Sequence, residues 1–335
     1  AITGVGFQPD WVWVKNRSGT DSHAIYDAVR GVNKVIRSNT TTAEGTQTDG
    51  LETFGTDGFT VGVSGSVNTN SNNFAAWNWK AGGTGSANTD GTITSTVSAN
   101  TTSGFSIVKY NGSGTAGTVG HGLGAVPKMI IVKEISGNAS GGNQAWSVYH
   151  VSNGNTHFMN LNTTGAKVDD IDFNDTTPTS SVFSVGSQNR VNSGNGNGVY
   201  IAYCFAEKTG YSKFGSYVGN NGGSDGVFVY TGFKPTFVMV KLASHSGANW
   251  NIKDVKRDTF NPVDNQLRAN LNNAEGDGED IDILSNGFKT RANGLNLQDS
   301  GYTYIYMAFG QSLVVQTTYH VQRGNMTKAR DLAII

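Results

Sequence analysis

Three stretches of the chain share one order of apolar and polar positions: Gly6-Phe7-Gln8-Pro9-Asp10-Trp11-Val12-Trp13-Val14-Lys15, Gly124-Ala125-Val126-Pro127-Lys128-Met129-Ile130-Ile131-Val132-Lys133 and Gly232-Phe233-Lys234-Pro235-Thr236-Phe237-Val238-Met239-Val240-Lys241. In each, a proline opens a run of large apolar and β-branched residues, and a lysine closes it six positions later. Proline fixes φ and donates no hydrogen bond, so it suits the first residue of a strand. The run that follows favours a pleated, largely buried conformation. The copies lie about 110 residues apart, too far for a solenoid unit and about right for a small domain. The pattern predicts three modules of one kind.

The parts that follow each block return in the same order. A polar loop precedes a second strand (His23 to Asp27, Trp146 to His150, Trp250 to Asp254), which opens with His in the first copy and Trp in the others. Next come a short strand ending in Asn39, Asn162 or Asn272 and an acidic–apolar alternation, clearest in Val168 to Phe173 and Glu279 to Ile283. A Gly-Phe or Val-Phe strand and a closing aromatic strand complete each copy. The proline and the last aromatic are 70, 78 and 74 residues apart (Pro9 to Trp79, Pro127 to Phe205, Pro235 to Phe309). Such short strands, bounded by turn residues, predict an all-β chain of three tandem antiparallel β-sandwich, jelly-roll-like modules, with the closing strands mid-sheet.

The expected boundaries are 1–80, 104–207 and 211–312, with 81–103 a Gly/Ser/Thr-rich linker carrying at most one strand, and 313–335 a C-terminal strand and tail. Modules two and three open with a strand before the proline block, whereas only Ala1 to Val5 precede it in module one. Its first strand is therefore missing or supplied by another segment, since an unfilled edge invites aggregation.

Composition narrows the function. The 335 residues carry a net charge of −1 with 15% charged residues, so nothing steers the chain toward nucleic acid. No stretch approaches the roughly 18–20 apolar residues of a membrane-spanning helix, and the first residues lack a basic-then-apolar signal pattern. Forty-five glycines with abundant Asn, Ser and Thr describe short strands and many turns. Cys204 is the sole cysteine; it lies in an apolar strand and is expected to be a buried small hydrophobe.

Candidate chemistry is thin. The cluster Glu275 to Asp282 could bind calcium through hard oxygen ligands, but it lacks EF-hand spacing. By repeat alignment Asp280 and Asp282 match Asp170 and Asp172, which predicts half-buried strands with carboxylates on the wet face and leaves the Asp277/Asp280 turn as the one calcium candidate. Asp169, Asp170, Asp172 and Asp175 lie too close along one segment to straddle a sugar as a catalytic pair. The six histidines form no metal-spaced pair, and His23 is expected to pack where the other copies place Trp. Gly120 to Gly124 lacks the Gly-Lys-Ser/Thr ending of a phosphate loop and reads as a turn. Trp11 with Trp13 and Trp77 with Trp79 are spaced two apart, which places each pair on one face of its strand; these are core if internal and a sugar or partner platform if exposed, and core is the expectation. No catalytic residue, cofactor or firm metal site is expected.

The segments Gly6 to Arg17, Tyr26-Asp27-Ala28-Val29-Arg30-Gly31, Ser38 to Thr41, Asp57-Gly58-Phe59, Phe74 to Lys80, Gly104 to Lys133 and Tyr302 to Phe309 resemble modules in virion proteins of tailed bacteriophages, especially marine ones. The second copy departs from the pattern, with Asn153-Gly154 in place of Arg-Gly, so no role of Arg30 extends to it. The resemblance implies a non-enzymatic virion structural protein at the particle surface, in a tail fibre, tail-associated spike or head decoration, with other virion proteins as partners. A homo-oligomer, a trimer above all, is expected, and a host-surface glycan is the expected external ligand. Recognition would fall on loops at the module ends, at Asn138, Asn143, Asn192 and Asn195. A carbohydrate-binding module or lectin is the alternative.

Overall fold

The computed structural model describes residues 1–137, 142–193 and 197–311. The chain is all-β, with 42% strand, 4% helix and many antiparallel sheets. Residues 1–80 hold β1 (Ile2–Thr3), β2 (Trp11–Asn16), β3 (Ala24–Asp27), β4 (Lys34–Val35), β5 (Gly45–Thr46), β6 (Leu51–Gly55), β7 (Gly58–Val61) and β8 (Phe74–Trp79). A hairpin of β9 (Ser86–Asn88) and β10 (Ser95–Asn100) follows. Residues 104–207 hold β11 (Phe105–Asn111), β12 (Gly117–Gly120), β13 (Pro127–Ser136), β14 (Ser147–His150), β15 (His157–Asn160), β16 (Val168–Asp169), β17 (Val182–Val185) and β18 (Val199–Ala206). Residues 211–311 hold β19 (Ser212–Val218), β20 (Phe228–Tyr230), β21 (Pro235–Leu242), β22 (Asn251–Asp254), β23 (Leu267–Arg268), β24 (Ile281–Leu284), β25 (Gly287–Thr290) and β26 (Thr303–Gly310).

Each proline block forms a strand between its own second strand and its own closing strand. The sheet orders are β3-β2-β8, β16-β15-β14-β13-β18-β11-β10-β9 and β19-β26-β21-β22-β23. Register repeats too, with Trp13 opposite Trp77, Ile131 opposite Tyr203 and Met239 opposite Met307. Smaller sheets, β1-β7-β6, β12-β17 and β20-β25-β24, complete the three spans.

The block strands are apolar throughout because both of their faces are buried. One face of all three large sheets feeds a single cluster that includes Trp11, Trp79, Met129, Phe205, Phe237 and Phe309. The opposite faces feed three separate clusters, each closed by the smaller sheet of its own span: Val12 and Val14 with Phe59, Ile130 and Val132 with Phe183, Val238 and Val240 with Phe288. Each large apolar side chain so buried contributes about 1.5–3 kcal/mol. The tryptophan pairs are core, each 3% exposed or less.

Glycine placement follows backbone approach. A Cβ on Gly58 would lie 2.0 Å from the Ile2 carbonyl oxygen, and one on Gly287 would lie 2.1 Å from that of Val229. In residues 104–207 the corresponding position is Val182, and the glycine sits across the pair instead, at Gly120.

Several expectations are corrected. Pro127 and Pro235 begin their strands, but β2 begins at Trp11, two residues after Pro9. Residues 81–103 are not a free linker: β10 pairs with β11 from Ser95 opposite Tyr110 to Asn100 opposite Phe105, extending the second sheet. Serine and threonine in that strand hide its membership of the second sheet from the sequence. The closing strands β18 and β26 lie mid-sheet, whereas β8 lies at an edge. The Asp170–Asp172 segment is not a wet-faced strand. Ile171–Phe173 is a 3-10 turn that buries Asp172 completely, because Arg190 reaches both Asp170 and Asp172 at 2.7 Å. The wet-face reading suits β24, where Asp282 is half-buried between buried Ile281 and Ile283. The expected C-terminal strand and tail at 313–335 lie outside the described residues.

Candidate functional site

The junction of the three spans brings together buried polar side chains from all three, among them His23, Asp27, His150 and Asp254. At its centre the last aromatics of the closing strands form a triangle: ring centroids are 6.4 Å apart for Trp79 and Phe205, 5.9 Å for Phe205 and Phe309, and 5.7 Å for Trp79 and Phe309. Separations of 4.5–7 Å are the favourable range for aromatic pairs.

Around that triangle one contact recurs three times. Trp146 Nε1 donates to the Arg37 carbonyl, Trp250 Nε1 donates to the Asn160 carbonyl, and His23 Nε2 meets the Arg268 carbonyl, all at 3.0 Å. Each runs from the start of one span's second strand to the third strand of the preceding span or, at Arg37, to the residues just past it. The last runs from the first span back to the third, so the series closes on itself. His23 stands in for Trp because Trp13 Nε1 donates to its Nδ1 at 2.8 Å, which leaves Nε2–H to serve the seam. Desolvation pushes the His23 pKa down to about 3, so the ring stays neutral.

A second threefold contact joins the end of each second strand to the closing strand of the following span. Tyr203 donates its hydroxyl to Asp27 Oδ2 at 2.7 Å, and Trp77 Nε1 donates to Asp254 Oδ2 at 3.1 Å. At the third seam the facing position is Met307, which has no donor. The strand end there is His150, whose Nε2 meets the Tyr306 carbonyl at 3.1 Å. Ser152 N donates to His150 Nδ1, and burial pushes this pKa down to about 4.

The carboxylates at the first two positions are paired with the arginine three residues on: Asp27 with Arg30 at 2.5 Å and Asp254 with Arg257 at 2.6 Å. Burial works against the Arg30 charge, but Asp27 and its neighbours outweigh it and hold the pKa above the ordinary value. Arg30 Nη1 and Nη2 donate to the Lys34 and Ile25 carbonyls. Its head group is consumed inside the fold. The block lysines Lys15, Lys133 and Lys241 are also fully buried, and each caps two backbone carbonyls. Desolvation lowers each to about 8.

The residues singled out in the sequence are scattered. Asn138 and Asn195 lie outside the described residues. Asn143 is exposed, and its Oδ1 accepts from Ala43 N at 3.1 Å across the seam between the first two spans. Asn192 is fully buried and is not a recognition group: its carboxamide ties Ser113, Thr115 and Gly186 together. Asp277 is exposed and Asp280 half-buried; among the described residues no three His, Cys, Asp or Glu side chains gather where an ion could sit. Cys204 is buried, and burial raises its pKa well above the ordinary thiol value. His121 takes the Leu123 N–H and meets the Thr179 carbonyl, as a turn residue does.

Sequence reasoning missed an outward-facing aromatic pair, Phe228 and Tyr230, 46% and 63% exposed on β20. Their alternation with buried Val229 was the available signal. Among the described residues no helix is long and apolar enough to cross a membrane.

A family model described as a domain of unknown function (DUF7483) matches residues 1–312. The chain belongs to this family. The match spans all three proline blocks and both kinds of seam. No curated protein and no solved structure matches the chain.

Proposed function

We propose that this member of the DUF7483 family is a non-enzymatic virion structural protein of a tailed phage, built from three tandem antiparallel β-sandwich modules closed into a ring within one chain. The observation that carries the structural reading is the pair of threefold seams. The buried His23, His150 and Tyr203 spend their polar atoms on holding modules together, which suits a scaffold better than a reaction centre. The phage assignment rests on the resemblance of the block and closing-strand motifs. Three modules that bury one another's faces supply within one chain the stabilisation expected of a trimer, so homo-oligomer contacts fall to the outer surface. Imaging intact particles with a labelled chain tests the assignment: density at the tail or head surface is expected, and its absence from purified particles would contradict it.

Phe228 and Tyr230 favour the second reading, a carbohydrate-binding module. A glycan-array signal lost in Tyr230→Ala, with an unchanged melting temperature, would promote it.

A further inference from the structure

The outer face of the third span's small sheet differs from its counterparts in the other two. Val229, Phe288 and Ile283 point into the core of that span, so their neighbours along β20, β25 and β24 point outward. Register sets these in two rows: Phe228, Lys289 and Asp282 across one, Tyr230, Gly287 and Leu284 across the next. A Cβ on Gly287 would meet the Phe228 ring at 3.0 Å, so that ring leans over the bare glycine. The other spans serve as internal controls. The place of Tyr230 is taken by Thr3, opposite Gly58, and by Gly120, opposite Val182; that of Phe228 is taken by Thr118, opposite Ser184. The same small sheet therefore forms without aromatics there. Phe228 and Tyr230 stay 46% and 63% exposed, so the core gains little from them.

The groups beside the rings indicate what fits there. Lys289 Nζ donates to Asp225 Oδ1 at 2.6 Å, and Arg291 Nη1 donates to Asp282 Oδ2 at 3.0 Å. Each of these cations is matched by a carboxylate, so the face carries no net charge to hold an acidic ligand. An ion pair sets spare lone pairs next to spare N–H groups. A hydroxyl, which both donates and accepts, can use both members of such a pair. The exposed parts of the two rings amount to roughly 200 Å². Each side of a stable protein interface buries about 800 Å², so the patch is sized for a small ligand rather than a folded partner. We propose that this face binds an uncharged oligosaccharide, with Tyr230 and Phe228 stacking on sugar rings and the Asp282–Arg291 and Asp225–Lys289 pairs holding hydroxyls. The proposal rests on the carbohydrate reading above and adds to it the polar groups and the class of sugar.

Titration of the full chain with neutral gluco-, galacto- and manno-oligosaccharides, and with sialylated and uronic-acid oligosaccharides, tests it. At least one neutral series should bind, and Tyr230→Ala and Asp282→Asn should each weaken it at least about fivefold at an unchanged melting temperature. Phe260→Ala should leave binding unchanged. Phe260 is 84% exposed but belongs to the stretch along the far edge of β24, where the Asn261 carboxamide bonds the Ile283 backbone. Should Asp282→Asn lower the melting temperature, Asp225→Asn replaces it, on a side chain 93% exposed. Binding of acidic sugars alone, lost in Tyr230→Ala, would overturn the neutral class and leave the carbohydrate reading standing. Neutral binding lost in Tyr230→Ala but unmoved by either carboxylate change would overturn the role of the ion pairs. Binding of no sugar at all would overturn the proposal and the reading together. So would self-association abolished by Tyr230→Ala, since a second copy would then cover the face.

Discussion

Tyr203 donates its hydroxyl to Asp27 Oδ2 at 2.7 Å, across 176 residues of sequence. The carboxylate it meets is already held by Arg30 and by the backbone N–H groups of Val29 and Arg30. The bond therefore ties two spans rather than rescuing a lone charge. Tyr203→Phe should lower unfolding stability by about 1–3 kcal/mol, because a buried acceptor loses one donor while the packing volume is kept. Denaturant titration with an unchanged m-value checks this; an unmoved midpoint would show that the seam contributes nothing.

The indole seams make a matching case. Trp146→Phe removes the N–H that serves the Arg37 carbonyl and leaves a gap beside the shared cluster. The expected loss is about 2–4 kcal/mol, larger than at Tyr203 because a cavity adds to the orphaned carbonyl. Calorimetry on the purified variant measures it.

Acid should loosen the ring at two seams. His23 and His150 have folded-state pKa values near 3 and 4, against an ordinary value of 6.5. Below 6.5 the unfolded chain takes up the protons and the fold does not. Stability therefore falls as pH drops from 6.5 toward 4, by at most about 1.4 kcal/mol per pH unit for each ring. Urea unfolding at about pH 7 and about pH 5 reads the slope, and His150→Gln should remove its own share.

Base should act in the opposite sense over a narrow window. Lys15, Lys133 and Lys241 lose their protons near pH 8 in the fold and near 10.5 when unfolded. Between those values the unfolded chain holds more protons, so stability rises with pH. Buried tyrosines such as Tyr110 and Tyr217, raised by desolvation, reverse the trend above their ordinary value of 10. Lys133→Met should flatten the rise between about pH 8 and about pH 10, which unfolding measured across that range would reveal.

Gly287→Ala should cost about 1–3 kcal/mol, since the added methyl meets the Val229 carbonyl oxygen at 2.1 Å. Val182→Ala, at the corresponding place in the second span, should cost less, and thermal melts compare the two.

Strands with both faces buried were the legible part of this fold. Val12-Trp13-Val14 and Ile130-Ile131-Val132 are apolar without interruption, and proline marks where such runs begin. β10 was legible only as one strand within a linker, and its place in the second sheet was not, because its pairing uses Ser95, Thr96 and Ser98, whose backbone rather than side chains carries the ladder. Asp172 was misplaced because the partner that lets it be buried, Arg190, lies 18 residues away and has no counterpart in the alternation itself. The seams were out of reach for the same reason. The repeat sets His23 against Trp146 and Trp250, but nothing in the sequence tells that each serves a carbonyl of the preceding span.

Three copies of one module that close on each other should unfold as one unit. Calorimetry of the full chain should then show one cooperative transition with equal calorimetric and van't Hoff enthalpies, on the order of 200 kcal/mol, shifted as a whole by Trp79→Ala. Separate transitions, with Trp79→Ala moving only one of them, would contradict it.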